Sequence, residues 1–210
     1  MASSEKTNRP GARHIAPPRE LAYRIALAIR SQGVAAAFIE NYVRQYDRPE
    51  FTLHEERNRE LQIVLEREIL LAISAHVTTL AEESARLSRT NRTGKRGPIG
   101  DPARFTREFV AGIGVERHWT AGDVVEFRGE LDLYRAILAA RAAKTSGIPR
   151  SFRRSVAAGP FVDRCAFLLD PSMMENARQA AAKLLHQMES LAERHFDEVL
   201  KPPREGKSRR

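Results

Sequence analysis

The chain has little of what builds staples, metal centres or membrane anchors. Its 210 residues include one cysteine, one tryptophan and six histidines. A single thiol excludes an intrachain disulfide framework and fits a reducing compartment. Set among apolar neighbours in FVDRCAFLL, Cys165 reads as a small core residue. No apolar run is long enough to cross a bilayer. The opening MASSEKTNRPGARHIAPPRE has no apolar centre of the kind a secretory leader needs. These absences lead to the expectation of a cytoplasmic protein without membrane contact.

Catalytic and cofactor signals are sparse as well. His14, His54, His76, His118, His186 and His195 form neither an HExxH pair nor the carboxylate-x-x-His repeat of di-iron bundles, so no metal is expected. His76 and His186 sit beside apolar neighbours in helical segments and read as hydrogen-bonded structural histidines. Gly112-Ile113-Gly114 begins like a dinucleotide fingerprint, but it follows a helix and Arg117 stands where the third glycine belongs. Thr93-Gly94-Lys95-Arg96-Gly97 lacks both P-loop spacing and the hydroxyl residue after lysine. No glycine-flanked nucleophilic serine is present. No cofactor and no catalytic residue is assigned on these grounds.

What the chain does have is helical periodicity. Hydrophobic residues make up 42% and charged residues 30%, a globular balance at a length suited to one domain. Residues 1–18, rich in Ser, Pro, Gly and Arg, read as a disordered tail; 19–201 as a single helical-bundle domain; 202–210 as a basic C-terminal tail. One helix is expected from about Arg19 to Tyr46, kinked at Gly33. A central core helix follows from about Leu53 to Leu87, carrying Leu61, Val64, Leu65, Ile69, Ile73, Val77 and Leu80. After the basic connection SRTNRTGKRGPIG, Asp101-Pro102 supplies an N-cap and a first-turn proline for a short helix. Thr120 and Asp123 read as a capping box for the next helix, whose apolar face is Val124, Phe127, Leu131, Tyr134 and Leu138 and whose stop is Gly147. Residues 148–169 show no sustained period and hold a short strand pair or none. Asp170-Pro171 repeats the cap signal ahead of a last helix that ends near Leu200. The sum is an all-α antiparallel helical bundle of four long helices plus a short one, with an irregular basic loop before the last helix.

The order of segments carries a resemblance. EREILLAISAHVTTLAEESARL, then GDPARFTREFVAGIGVERHW, then the helix reaching LYRAILAARAAKTSG resembles the HEPN superfamily of small all-α proteins, in its prokaryotic branch, over about residues 60–150. Active members carry an arginine followed four to six residues later by histidine at the end of the motif helix, often with asparagine after the arginine and glycine after the histidine. The resemblance implies that histidine moves protons at the ribose 2′-hydroxyl while arginine stabilises phosphate charge, without metal. Here Arg141 takes the arginine position and Gly147 the glycine, but Ala142 and Ser146 replace asparagine and histidine. A serine hydroxyl is not ionised near neutral pH and does not replace the base, so the motif reads as degenerate. A homodimer and a defence or toxin-antitoxin setting follow from the resemblance alone.

The net charge of +8 permits phosphate-rich partners, although much of the excess lies in the tails. Arg141 and Lys144 at the end of the motif-like helix, with Arg150, Arg153 and Arg154 beyond it, form a basic cluster suited to nucleic-acid backbone, RNA included. The same cluster also reads as a solvated face that complements the helix dipole. Two functions stay open: a nucleic-acid-associated accessory protein, or a helical interaction or scaffold module with a protein partner. An enzyme with an unsignalled site would need convergent polar residues in a pocket.

Overall fold

The computed structural model describes residues 17–47, 55–90, 99–144 and 159–200, and among these every regular element is helical. The expected all-α class holds. No helix among the described residues is long and apolar enough to cross a membrane. The two expected tails and the connections at 48–54, 91–98 and 145–158 lie outside the described residues.

The first expected helix is two helices, α1 (Pro17–Ser31) and α2 (Val34–Tyr46). Gly33 sits between them at φ 55°, ψ 41°, the left-handed conformation that a residue without Cβ adopts at low cost. Its N–H donates to the Arg30 carbonyl at 3.0 Å, which closes α1 as a C-terminal glycine does. A break therefore replaces the kink. The central helix α3 (Glu55–Thr90) is close to expectation. From Ile69 to Thr78 every residue except His76 is buried, so this stretch is surrounded by other helices rather than covered on one side. Val64, expected in the core, is 41% exposed, because core contact in this part of α3 falls to Leu65.

Asp101 caps α4 (Pro102–Arg117) by accepting from the Ala103 and Arg104 N–H groups at 2.9 and 3.1 Å. The helix ends at His118, which is left-handed at φ 56°. Thr120 and Asp123 form the expected reciprocal box: the Thr120 N–H donates to Asp123 Oδ2 at 2.8 Å and the Asp123 N–H donates to Thr120 Oγ1 at 3.2 Å. It starts α5 (Ala121–Lys144), whose Phe127, Leu131 and Tyr134 are buried as their spacing requires.

Residues 159–169 correct the expectation of irregular chain before the last helix. They form α6 (Gly159–Leu169), with Phe161, Cys165, Ala166 and Leu169 buried on one face. The face spans barely more than two turns, too short for its period to stand out in sequence beside the basic stretch before it. Asp170 then caps a 3-10 turn (Pro171–Met173) that leads into α7 (Met174–Leu200).

Two kinds of contact fix the packing. At Gly112 on α4 an added Cβ would lie 2.8 Å from the Ala22 Cβ and 2.9 Å from the Arg19 Cα, so the glycine is what lets α1 approach. Arginine-carboxylate pairs set the register around α3. Arg67 donates to Glu130 at 3.1 Å and to Glu126 at 3.2 Å on α5, while farther along both helices Arg135 pairs with Glu82. These pairs run α3 and α5 in the same direction, with α4 joining them.

Candidate functional site

His76 is the one side chain of its α3 stretch that reaches a surface. It lines a cleft of about 350 Å³ between α3, α5 and α7, walled by Ala72, Tyr134, Leu138 and Leu185 and edged by Thr79, Glu82, Arg135 and Glu189. One ring nitrogen, Nε2, lies 3.1 Å from Glu193 Oε1, and Nδ1 lies 3.9 Å from Glu189 Oε1. The expectation of a hydrogen-bonded structural histidine fits His76; His186 is exposed on α7. Arg135 is committed to Glu82. The polar groups of the cleft are thus engaged with neighbouring side chains, Arg135 with Glu82 and His76 with Glu193 and Glu189. Among the described residues Arg135 is the one Lys or Arg side chain of the cleft lining and is already bonded to a carboxylate, so the cleft offers little to a phosphate group.

Behind the cleft the polar groups are buried and inert. Tyr134 is pushed far above its ordinary range, by burial first and then by the nearby Glu68 and Cys165 charges, while a hydrogen bond with the Phe161 backbone pulls the other way. Cys165 is held well above the usual thiol range by burial. Neither supplies an anion near neutral pH. Glu68 is raised as well; burial outweighs its pairing with Arg164, whose Nη1 donates to Oε1 at 3.1 Å. At the far end of α4, Glu116 is buried and held by Arg30 at 2.9 Å and Arg117 at 3.4 Å, and Arg117 also donates to Glu66 at 2.7 Å. That knot ties α1, α3 and α4 together. Arg67 lies over Trp119 and Phe127, 5.8 and 6.0 Å from their ring centroids, which adds a cation-π contact to its two carboxylate bonds.

The residues singled out for nucleic acid fall beyond this geometry. Arg141 and Lys144 belong to the last turn of α5, directly past the cleft residues Leu138 and Ala139, and their side chains are outside the described residues. Arg150, Arg153 and Arg154, with Ser146 and Gly147 of the degenerate motif, are outside them altogether. The Gly112 to Arg117 stretch lies inside α4 rather than in a loop after a strand, so it is no phosphate cradle. Among the described residues no group of three or more His, Cys, Asp and Glu side chains is arranged to hold a metal ion.

Sequence reasoning missed the cleft itself. His76 and Arg135 are far apart in sequence, and the only available signal was a histidine within the uncharged stretch of α3 from Ile69 to Leu80. A second cleft of about 310 Å³ between α2 and α7 was missed too; it is floored by Phe38, Tyr42 and Leu184 and rimmed by Asn41, Gln45 and Gln187. Comparison of the chain with protein-family models, curated proteins and solved structures finds no match.

Proposed function

We propose that the chain is a HEPN-like helical protein without an intact ribonuclease motif, acting as a nucleic-acid-associated accessory component of the defence or toxin-antitoxin kind and working as two copies. The observation that supports this best is the course of α5: it passes a cleft whose arginine is bound to Glu82 and ends at Arg141 and Lys144, just ahead of Arg150, Arg153 and Arg154. Phosphate contact then belongs to the arginines past the helix, and the His76 cleft takes no part in it. His76 also offers no substitute for the missing motif histidine, because Glu193 holds Nε2 and Glu189 stands beside Nδ1.

RNA binding measured against salt tests the reading. Full-length protein is expected to bind mixed-sequence RNA at low salt with a log-log slope that shrinks when Arg150, Arg153 and Arg154 are changed to Glu. Binding that is absent at low salt, or indifferent to the triple change, removes the nucleic-acid role. RNA incubated with the protein in chelator is expected to yield no cyclic-phosphate ends.

The second reading, a helical interaction module with a protein partner, draws on the exposed apolar side chains Ile63, Val125, Leu133 and Phe167. Stoichiometric co-purification with one protein, together with no RNA affinity, would favour it.

A further inference from the structure

The outward face of α5 has an unusual make-up. Gly122, Val125, Gly129, Leu133 and Ala136 recur at steps of three and four residues, and all are exposed. Val125 is 71% and Leu133 58% exposed, and a Cβ built at Gly129 would meet nothing within 4 Å. An exposed helix face ordinarily carries charged residues; this stripe has none over four turns. On α3, Ile63 is 66% exposed and lies one turn before Arg67, the residue that bonds α5.

Charges border the stripe in an ordered way. By the helical repeat, Arg128 and Asp132 fall to one side of the line through Gly129, and Glu126 and Glu130 to the other. The second border is half neutralised within the chain, because one arginine, Arg67, bonds both glutamates. On the first border, Arg128 and Asp132 are exposed.

We infer that this face of α5 is a self-complementary docking surface for a second copy of the chain, the two helices crossing antiparallel at Gly129. A two-fold axis there sets residues equidistant from Gly129 against each other. Val125 meets the partner's Leu133, and Gly122 meets the partner's Ala136, so large faces large and small faces small. Gly129 lies on the axis, where the lack of a side chain lets the backbones close. The Arg128 border faces the same border of the other copy and brings Arg128 alongside the partner's Asp132, twice by symmetry. The opposite border would set acid against acid, and Arg67 halves the charge that each copy brings to it. A heterologous partner would have no need for residues of matched size and opposite charge placed around one point; a second copy does.

The inference rests on the two-copy part of the proposed function and not on its nucleic-acid part. Sedimentation equilibrium of the full chain across the micromolar range tests it. Wild type is expected to dimerise, and Leu133→Glu, at a position exposed in the single chain, is expected to weaken the dimer by about tenfold or more. Arg128→Asp and Asp132→Arg should each weaken it, and the double reversal should restore it. Should Leu133→Glu fail to fold, the charge series decides. A dimer indifferent to Leu133→Glu and to both reversals would overturn this surface while keeping the two-copy reading. A wild type that stays monomeric overturns both, and leaves RNA binding to be judged by its own salt titration.

Discussion

Tyr42 on α2 donates its hydroxyl to Asp170 Oδ2 at 3.0 Å across 128 residues, inside the core. The other carboxylate oxygen, Oδ1, accepts from the Ser172 and Met173 N–H groups at 3.1 and 3.2 Å. One carboxylate therefore both caps the turn that starts α7 and fastens that turn to α2.

Tyr42→Phe keeps the ring and removes the bond. Equilibrium denaturation should show a loss of about 1.5–3 kcal/mol, the usual net worth of a hydrogen bond to a charged acceptor. A change within about 0.3 kcal/mol, inside the surface-substitution range, would mean that the carboxylate is held as well without it.

Gly112→Ala and Gly129→Ala should act in opposite directions. The first forces a methyl group against the Arg19 backbone and should cost about 1–3 kcal/mol through overpacking. The second adds a helix-favouring methyl group in open space and should gain about 0.5–1 kcal/mol, measured dilute enough that chains do not associate. A destabilised Gly129→Ala monomer would show that this face is not free.

Glu68 should make the protein less stable as pH rises. Its folded pKa lies above the ordinary 4.5, so between that value and the folded one the unfolded chain releases its proton first and stability falls. Glu68→Gln lacks this slope; its stability relative to wild type should rise over the window above 4.5 and then level off. A relative stability that falls as pH rises would mean that Arg164 outweighs burial.

Cys165 should resist thiol reagents in the native state, being fully buried with its thiol held protonated. Labelling should follow the population of opened molecules and rise with denaturant along the unfolding curve. Rapid stoichiometric labelling of native protein would contradict the packing of α6.

Helix starts were legible in the sequence because their chemistry is local: Asp101, the Thr120 and Asp123 pair, and Asp170 all cap as their spacing requires. The core of α5 was legible for the same reason, its period being sustained over several turns. Gly33 was readable as a disturbance but not as a full break, since its φ is settled by how α1 and α2 dock. Residues 159–169 read poorly because a helix this short shows its period only once a neighbour covers it. The His76 cleft was illegible for a different reason. Partners 59 residues apart, such as His76 and Arg135, share no local pattern, and only the shared direction of α3 and α5 brings them to one place.

The close passage of α1 over Gly112 also bears on how such a chain can diverge. Positions 22 and 112 are not free to drift independently: the Ala22 methyl and the Arg19 backbone both crowd residue 112, and any lineage that gains bulk at 112 must let α1 slide or lift away. Substitutions there should arrive together in descendants of this sequence, as a correlated set that marks the α1 and α4 contact even where the rest of the surface has changed beyond recognition.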